Sequence, residues 1–387
     1  MVQRASPLLI SFLIFLCILF PGYGVGNSSD VYNELFQIEN TWISENNLTG
    51  CTEYGEAISY AESYPLYAFD LLVDCYTENV SKHFLDLSDK FDTLVAGSML
   101  LDEVKSEYSQ LKEEMDSLHP ETLPAQEWFS LAIKNIENAD FYIKGAEDNL
   151  SKDNSYGVMT SLIQAFTSLH KARAFISMSK ERNNITSQSI PYSAIAYKWI
   201  STVKNMLKEF EEFGQFKDVK SLINSAEKHY DEGYYYLALM ESAQAKALMD
   251  YYLNRPDINN GKEAIRIAET YLDYTSTFMS EIYESNLVDA PFAEIYFELA
   301  ELHIKDAKKQ DRDSAKITIA TLSIKESMIA REQAIAAMFL SKTAGLSIEN
   351  PQSTNQNVNN SFNQYVLAGL ILLVIVVALV IVKKVRK

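Results

Sequence analysis

The stretch that decides the fold is residues 231–247, DEGYYYLALMESAQAKA, in which a glycine and three tyrosines precede a run of small residues. Gly233 suits a turn, because glycine adopts backbone conformations that other residues avoid. Ala238, Ser242 and Ala245 follow at positions i, i+4 and i+7 of a helix, so they share one face. A face of small side chains allows two helix backbones to approach closely. The stretch therefore predicts a turn, followed by a helix that packs tightly against the helix before it.

Larger apolar residues form a second face of the same helix. They are Leu237, Met240, Leu248 and Tyr251. A helix that is apolar on two faces is covered by neighbours on both sides. We therefore expect this helix to lie in the interior of a stack.

The surroundings of this helix recur elsewhere in the chain. Ala146, Glu147, Tyr156, Gln164 and Ala165 recur 80 residues later as Ala226, Glu227, Tyr236, Gln244 and Ala245. Shorter matches extend the pattern in both directions and predict about four units of about 80 residues, each a helical hairpin with a connecting helix and the last one truncated. Because one hairpin cannot bury its apolar stripe alone, the units predict an all-α fold, either an irregular α-solenoid or a tightly wound helical array.

Helical spacing dominates the rest of the chain between its two ends, with almost no strand pattern. The predicted helices are 30–45, 52–63, 66–78, 81–117, 124–150, 155–181, 191–213, 216–232, 234–254, 260–285, 290–309 and 312–343. Gly345 follows the last one as a candidate C-cap. Residues 346–364 are polar and rich in Asn, Ser and Gln, which is typical of a flexible stalk.

The N-terminus has the pattern of a secretory signal peptide. Arg4 precedes an apolar run, LLISFLIFLCILF at 8–20, and small residues follow it. This pattern predicts a signal peptide over residues 1–26, with an uncleaved N-terminal anchor as the alternative.

The C-terminus has the pattern of a transmembrane helix. Residues 365–382, YVLAGLILLVIVVALVIV, carry no charge and are followed by the basic residues 383–387, KKVRK. A span of this length crosses a bilayer, and a basic tail favours the cytoplasmic side. The alternative is a buried core helix. The pattern predicts a single-pass protein of the cell membrane, with residues 27–345 folded outside the cytoplasm.

The charge of the chain argues against a nucleic-acid partner. The formal net charge is −18, and all 52 acidic residues lie between the two apolar ends, whereas five of the 34 basic residues lie outside that region. So acidic an exterior part, without a basic stripe, repels phosphate backbones. The charge indicates solubility outside the cell, or attraction of cations and basic partners.

The cysteines predict one disulfide. Cys17 belongs to the signal segment, which leaves Cys51 and Cys75 as an even pair. Their midpoint lies at residue 63, beside Tyr64 and Pro65, where a helical hairpin would turn. Residues equidistant from a hairpin turn lie opposite each other, so a disulfide fits, with two separate buried thiols as the alternative.

Glycosylation sequons also indicate exposure. The six N-x-S/T sites are at Asn27, Asn47, Asn79, Asn149, Asn184 and Asn359. All lie between the two apolar ends, where an exported chain meets glycosylation enzymes. They are possible glycosylation sites.

Tyrosine is the enriched residue type, with 23 of 387 residues. Tyrosine rings can stack on sugars or anchor a peptide, or they can fill gaps between helices. Because Tyr156 and Tyr236 follow the repeat, and consecutive tyrosines point in different directions around a helix, the second interpretation is favoured. Tyr234, Tyr251 and Tyr252 are the candidate surface contacts.

The hairpin resembles a known repeat. Gly233, Tyr235, Ala238 and Ala245, with Ala226 upstream, match the glycine, aromatic and alanine positions of a tetratricopeptide-type hairpin. The resemblance implies a distant TPR-like helical-repeat protein, although the spacing of units differs from that family's 34 residues.

A second resemblance concerns residues 229–252, HYDEGYYYLALMESAQAKALMDYY. Placed between a signal peptide and a C-terminal anchor, this stretch is similar to the helical region of archaeal membrane-anchored Lon-like serine proteases. The protease domain is missing from this sequence and no Ser/Lys catalytic motif is present, so no activity is implied.

The sequence lacks the short motifs that mark catalytic and ligand-binding sites. No metal, nucleotide or nucleophile motif occurs in the sequence, so no catalytic residue, metal site or cofactor is predicted. Glu227 with His229, and Glu301 with His303, are two residues apart and point to opposite sides of a helix. The acidic residues Asp86, Asp89 and Asp92 would share a face of helix 81–117 and hold a cation weakly, or form an ordinary solvated face.

These observations favour a binding function. We expect a membrane-anchored helical scaffold that binds another envelope or membrane protein without catalysis. The alternatives are an accessory subunit of a membrane protease or surface-layer assembly, and a glycan-binding or enzymatic domain.

Overall fold

The fold is built from helices. The structure, a computed structural model, describes residues 30–183, 190–210, 216–284 and 288–349, and within them it contains twelve helices and no strand. They are α1 (Asp30–Glu45), α2 (Tyr54–Tyr60), α3 (Pro65–Ser88), α4 (Thr93–Asp116), α5 (Leu123–Ser151), α6 (Ser155–Arg182), α7 (Tyr192–Glu209), α8 (Lys217–Asp231), α9 (Tyr235–Leu253), α10 (Gly261–Tyr283), α11 (Pro291–Lys309) and α12 (Asp313–Glu349). The prediction of an all-α fold is confirmed for these residues.

The predicted signal peptide, most of the stalk and the predicted transmembrane helix lie outside the described residues. Among the helices that the structure describes, none is both long and apolar enough to cross a membrane.

The predicted boundary between helices 66–78 and 81–117 is wrong. One helix, α3, runs from Pro65 to Ser88, and the chain breaks before α4. The next helix begins after Asp92. The backbone of Asp92 is extended, and its side chain accepts a hydrogen bond from the backbone N–H of Leu94 at 2.9 Å. An aspartate in this position caps a helix N-terminus. Since Asp86 lies on α3 and Asp92 caps α4, the three aspartates do not share one helical face.

Gly345 does not end the last helix, contrary to the prediction. α12 continues through it to Glu349. A glycine inside a helix lowers its stability by about 1 kcal/mol, which weakens a helix without stopping it.

The hairpins α5–α6 and α8–α9 turn in the same way, as the 80-residue repeat predicts. Asp153 and Gly233 occupy equivalent positions and both have a positive φ, 53° and 88° respectively. After each, a backbone N–H bonds back over five residues: Asn154 to the carbonyl of Asn149 at 3.0 Å, and Tyr234 to that of His229 at 2.8 Å. These bonds close the C-terminal ends of α5 and α8.

Four alanines of the repeat make close helix contacts possible. Ala146, Ala165, Ala226 and Ala245 are all completely buried. The tyrosine of the repeat behaves differently, because Tyr236 is 2% exposed and Tyr156 is 74% exposed. The repeat therefore preserves the backbone and the small contact residues, but not the environment of this ring.

Helix α9 is an interior helix, as predicted. Ala238, Ser242 and Ala245 are completely buried, and so is Leu237 on the larger apolar face. The helix packs on α8, α7, α12 and α5. The helical part of the opening stretch therefore lies in the interior, whereas its turn at Gly233 is exposed.

The chain closes on itself. α11 packs against α3 and α5 as well as against α10 and α12. The largest hydrophobic core extends from Tyr32 in α1 to Leu340 in α12. The first and last described helices therefore share one core.

The predicted disulfide is confirmed. Cys51 and Cys75 are joined, with their Cα atoms 5.4 Å apart. The bond connects the loop before α2 to the middle of α3, across a turn at residues 61–64. Phe36, Ile43 and Leu72 pack beside it in a small separate core.

Candidate functional site

The tyrosines predicted as surface contacts lie between helices. Tyr251 is 3% exposed and packs in a core with Ala264, Ile304 and Met328, so the prediction of a surface contact is wrong for this residue. The turn of α9 that carries Tyr251 faces α10, α11 and α12 rather than solvent. A buried ring has no surface to offer a ligand.

Tyr234 and Tyr252 are half-buried. The Tyr234 ring lies 6.4 Å from those of Phe129 and His229, at the start of α9. The Tyr252 ring lies 5.9 Å from that of Phe216, and its hydroxyl donates to Asp218 at 3.3 Å. Both rings pack against neighbouring aromatic residues and are only partly exposed.

The sequons differ in accessibility. Asn47 and Asn79 are exposed and line a polar cleft of about 220 Å³ beside the disulfide. Asn149 is half-buried; its Nδ2 donates to the carbonyl of Gly145 at 2.8 Å and its Oδ1 accepts from Asn154 at 2.7 Å. The other three, Asn27, Asn184 and Asn359, lie outside the described residues.

Five exposed apolar side chains lie around the break between α3 and α4, on the first turns of α4 and at the start of α6, and we name this set the apolar end. Its members are Leu85, Phe91, Val95, Met99 and Tyr156, with exposed fractions of 56%, 48%, 49%, 45% and 74%. They are five of the eleven large hydrophobic residues exposed in the described part of the chain.

Close helix packing places the helices that carry the apolar end. Gly97 lies against α6, because a Cβ at this position would be 2.6 Å from Cγ1 of Val158. The start of α4 therefore lies beside the start of α6. Val95 and Met99 are each two residues from Gly97, so they lie on the face of α4 that points away from this contact, towards solvent. Leu85 and Phe91 flank the break between α3 and α4.

Most exposed charged residues close in sequence to Leu85, Phe91, Val95 and Met99 are acidic. Between residues 82 and 103, the exposed charged side chains are Asp86, Asp89, Asp92, Asp102 and Glu103, against Lys82 and Lys90. A surface of this kind attracts apolar partners that carry basic residues at their rim.

A buried carboxyl group holds the loop before α11. Glu127 in α5 is completely buried, and its Oε2 accepts from the backbone N–H of Asp289 at 2.7 Å and of Ala290 at 3.1 Å. Its Oε1 accepts from the hydroxyl of Tyr236 at 3.1 Å. Burial and the charge of Asp289 raise the pKa of Glu127 to about 8, although the three donors counteract the rise.

The same loop is fixed by two aromatic residues. Nε1 of Trp128 donates to Oδ2 of Asp289 at 2.8 Å, and the hydroxyl of Tyr32 donates to the carbonyl of Asp289. Ala290 has a φ of 50°, which is unfavourable for an alanine. The hydrogen bond from its N–H to Glu127 helps to hold this conformation.

Two further buried carboxyl groups lie on α11. Glu298 accepts from the backbone N–H groups of Leu66 at 3.2 Å and Tyr67 at 2.8 Å, and so caps the N-terminus of α3. Glu294 accepts from the hydroxyl of Tyr283 at 2.6 Å, and burial raises its pKa to about 7. The cavity beside Glu298 is about 30 Å³, which is room for about one water molecule. Glu298 therefore joins α11 to α3, near the other end of the described chain, whereas Glu294 joins α11 to the preceding helix, α10.

A histidine joins three helices. His229 in α8 is 1% exposed; its Nδ1 lies 2.7 Å from Oε2 of Glu241 in α9, and its Nε2 lies 2.8 Å from Oε2 of Glu137 in α5. Burial alone would lower the pKa of His229, but the two carboxylates outweigh it and raise the pKa to about 9. Glu227, two residues away, points away from His229, as the helical spacing predicted. It pairs with Lys204.

Two other described histidines each pair with one glutamate. His303 lies 2.6 Å from Glu326, and not beside Glu301. His170 lies 2.8 Å from Glu39 and stacks on the ring of Tyr76 with centroids 4.1 Å apart. Sequence reasoning missed all four acidic partners of the three histidines, because each lies on a different helix from its histidine.

Comparisons with protein-family models, with characterised proteins and with solved structures found no match. The TPR-like and Lon-like resemblances therefore stay predictions.

Proposed function

We propose that this chain is a membrane-anchored scaffold that binds another protein of the cell envelope through the apolar end. The observation that supports the proposal is the exposure of Leu85, Phe91, Val95, Met99 and Tyr156, four of them within fifteen residues of the chain. Grouped apolar side chains on a folded protein mark interaction surfaces more often than scattered ones do. The membrane anchor and the position outside the cytoplasm rest on the two apolar ends of the sequence.

The chemistry of the surface defines the partner. Val95 and Met99 lie one helical turn apart on α4, and exposed Asp92 and Asp102 lie close to them in the sequence. A complementary protein surface presents apolar side chains in its middle and lysine or arginine at its rim, since opposite charges at a rim guide association. We infer such a protein as the occupant of the apolar end.

The rest of the fold suits a rigid support. The packing of α11 on α3 and α5 supports a tightly wound helical array over an open solenoid. The buried carboxylates Glu127 and Glu298 fix the array by bonds to backbone groups of distant helices. A rigid support keeps the docking residues in place before the partner arrives, which lowers the entropy cost of binding.

Site-specific photo-crosslinking tests the proposal. A photoreactive amino acid placed at Val95 or Met99 of the full chain, in the cells that make it, is expected to form a crosslink to one protein other than itself. The crosslinked peptide of that protein is expected to be apolar with flanking lysine or arginine. The same probe at Leu322, which is 41% exposed on α12, is the matched control and is expected to give no crosslink to this protein.

Three outcomes would overturn the proposal. They are the absence of any crosslink from Val95 and Met99, equal crosslinking from Leu322, and crosslinking to a second copy of the same chain only.

A further inference from the structure

Three side chains with metal-binding groups meet at the end of α8. They are His229, Glu232 and, from α5, Glu137, and their ligand atoms all lie within 4.8 Å of one another. His229 is buried, Glu137 is half-buried and Glu232 is exposed, so the group opens to solvent on one side. An ion could therefore enter from the Glu232 side and reach Nε2 of His229.

The second nitrogen of this histidine is held by a buried carboxylate. Glu241 is 6% exposed, and its Oε2 lies 2.7 Å from Nδ1 of His229. Its other oxygen, Oε1, accepts from the hydroxyl of Ser225 at 2.8 Å. A carboxylate on the far nitrogen of a histidine orients the ring and increases its basicity, which is the usual arrangement behind a metal-ligating histidine.

We propose that His229, Glu137 and Glu232 bind a divalent transition-metal ion of the Zn²⁺ class, with Glu241 as the positioning residue. Imidazole and carboxylate groups are both Zn²⁺ ligands, and three protein ligands leave the fourth position to water. Two ligand atoms of a tetrahedral Zn²⁺ lie about 3.3 Å apart for bonds of about 2.0 Å. Nε2 of His229 and Oε2 of Glu137 are 2.8 Å apart, the distance of a hydrogen bond through the proton on Nε2. The ion takes the place of this proton, which is released to solvent, and a small movement of the Glu137 side chain makes room for it.

Lys228 is the competing cation. Its Nζ pairs with Oε1 of Glu137 and lies 3.9 Å from Oε1 of Glu232. The side chain of Lys228 is 55% exposed, so it can move into solvent when an ion takes its place. Without an ion, Lys228 offsets the repulsion between the two carboxylates.

Other groups of potential ligands in the described residues lack these features. Cys51 and Cys75 lie beside Glu53, but their sulfur atoms are bonded to each other. His303 has Glu326 as its one acidic partner in the structure. His303 is therefore a suitable control for binding to a single histidine–glutamate pair.

Calorimetric titration of the full chain, extracted in detergent and freed of metal, tests the proposal with Zn²⁺ alone. We expect one ion per chain. Glu232→Gln, which changes an exposed residue and leaves the bonds of His229 intact, is expected to weaken binding at least tenfold. His229→Gln is expected to abolish binding, and His303→Gln and Glu227→Gln are expected to bind as the unchanged chain does.

A test of the role of Glu241 requires a measurement that a change in fold stability alone does not affect. Glu241→Gln is expected to weaken Zn²⁺ binding about 10- to 100-fold. With Co²⁺ as a spectroscopic probe, it is also expected to shift the visible absorption bands, since the orientation of the ring changes. Circular dichroism spectra that match those of the unchanged chain confirm that each variant is folded.

Absence of Zn²⁺ binding would overturn the proposal, as would binding of equal strength in Glu232→Gln. A Glu241→Gln variant that is folded and has the unchanged affinity and Co²⁺ spectrum would overturn the positioning role. None of these results depends on the apolar end, so this proposal and the proposed function fail or succeed separately.

Discussion

Glu127 is a carboxyl group whose partners come from two distant parts of the chain. Its side chain joins α5 to the loop before α11 through Asp289 and Ala290, and to α9 through Tyr236. Its pKa, raised from 4.5 to about 8, means that the folded chain keeps a proton there that the unfolded chain releases. Between these pH values, the free energy of unfolding falls as the pH rises.

Glu127→Gln is expected to flatten this pH dependence. A neutral amide can accept from both backbone N–H groups through its oxygen, and its NH₂ can donate to the hydroxyl of Tyr236. We therefore expect little change in the free energy of unfolding near pH 5 and a smaller loss than in the unchanged chain between about pH 5 and 8. Urea unfolding over this pH range measures both.

Glu127→Ala is the control, because it leaves two buried N–H groups without acceptors. It is expected to lower the free energy of unfolding by about 2–5 kcal/mol near pH 5. This difference from the unchanged chain is expected to shrink towards pH 8, because alanine has no proton to lose. Parallel pH profiles for the unchanged chain and Glu127→Gln would contradict the assignment of a raised pKa to Glu127.

For single residues, the sequence predicted the local backbone conformation but not which side chains are buried. Gly233 was predicted as a turn residue, because glycine adopts a positive φ far more readily than other residues do. Tyr156 and Tyr236 share a position in the repeat, but packing by other helices buries one ring and leaves the other exposed. The acidic partners of His229 lie 12 and 92 residues away, and no spacing in the sequence indicates them.

Among the helices, one close contact at Gly97 fixes the position of α4 against α6. Gly97 is buried in α4, where a Cβ would approach Val158 at the start of α6. The first turns of α4 carry Val95 and Met99, so this contact also places part of the apolar end. The period of the apolar residues predicted most helix boundaries, but the break at residues 89–92 depends on one capping side chain, Asp92, in an otherwise helical pattern.

Gly97→Ala is expected to lower the free energy of unfolding by about 1–3 kcal/mol, because the added methyl group overpacks the contact with Val158. Denaturant unfolding measures the change. Gly55→Ala in α2 is the matched control, since a Cβ there meets nothing within 4 Å. That variant is expected to be unchanged or slightly more stable, because alanine favours a helix over glycine. Equal stability of the two variants would show that α4 does not press on α6.

The whole molecule combines short-range hairpins with contacts between its two ends. The hairpins follow from the repeat, and the disulfide follows from the position of the turn, so both were predictable. The packing of α11 on α3 was not, because it depends on Glu298 reaching the N–H groups of Leu66 and Tyr67 over more than 230 residues of chain. The signal peptide and the membrane anchor stay predictions.

Glycan mapping tests the predicted position outside the cytoplasm. For protein isolated from the cells that make it, we expect glycans on Asn47 and Asn79, which are exposed, and none on Asn149, whose amide is bonded to Gly145 and Asn154. Mass spectrometry of glycopeptides measures occupancy. Asn47→Gln and Asn79→Gln should each remove one glycan mass. Bare asparagine at both exposed sites, or a glycan on Asn149, would contradict the prediction.

The bonds of Glu298 also set the order in which the chain can mature. The N-terminus of α3 emerges early in synthesis, but Glu298, which caps it, lies more than 230 residues later in the chain. The backbone donors for Glu127 are likewise made more than 150 residues after Glu127 itself. Until α11 emerges, Glu127 lies in an apolar part of α5 without the two backbone donors that satisfy it in the finished fold. The early hairpins can form during synthesis, since their contacts are local. Completion of the core must wait for α11, so a nascent chain that stops short of it remains a substrate for chaperones and proteases.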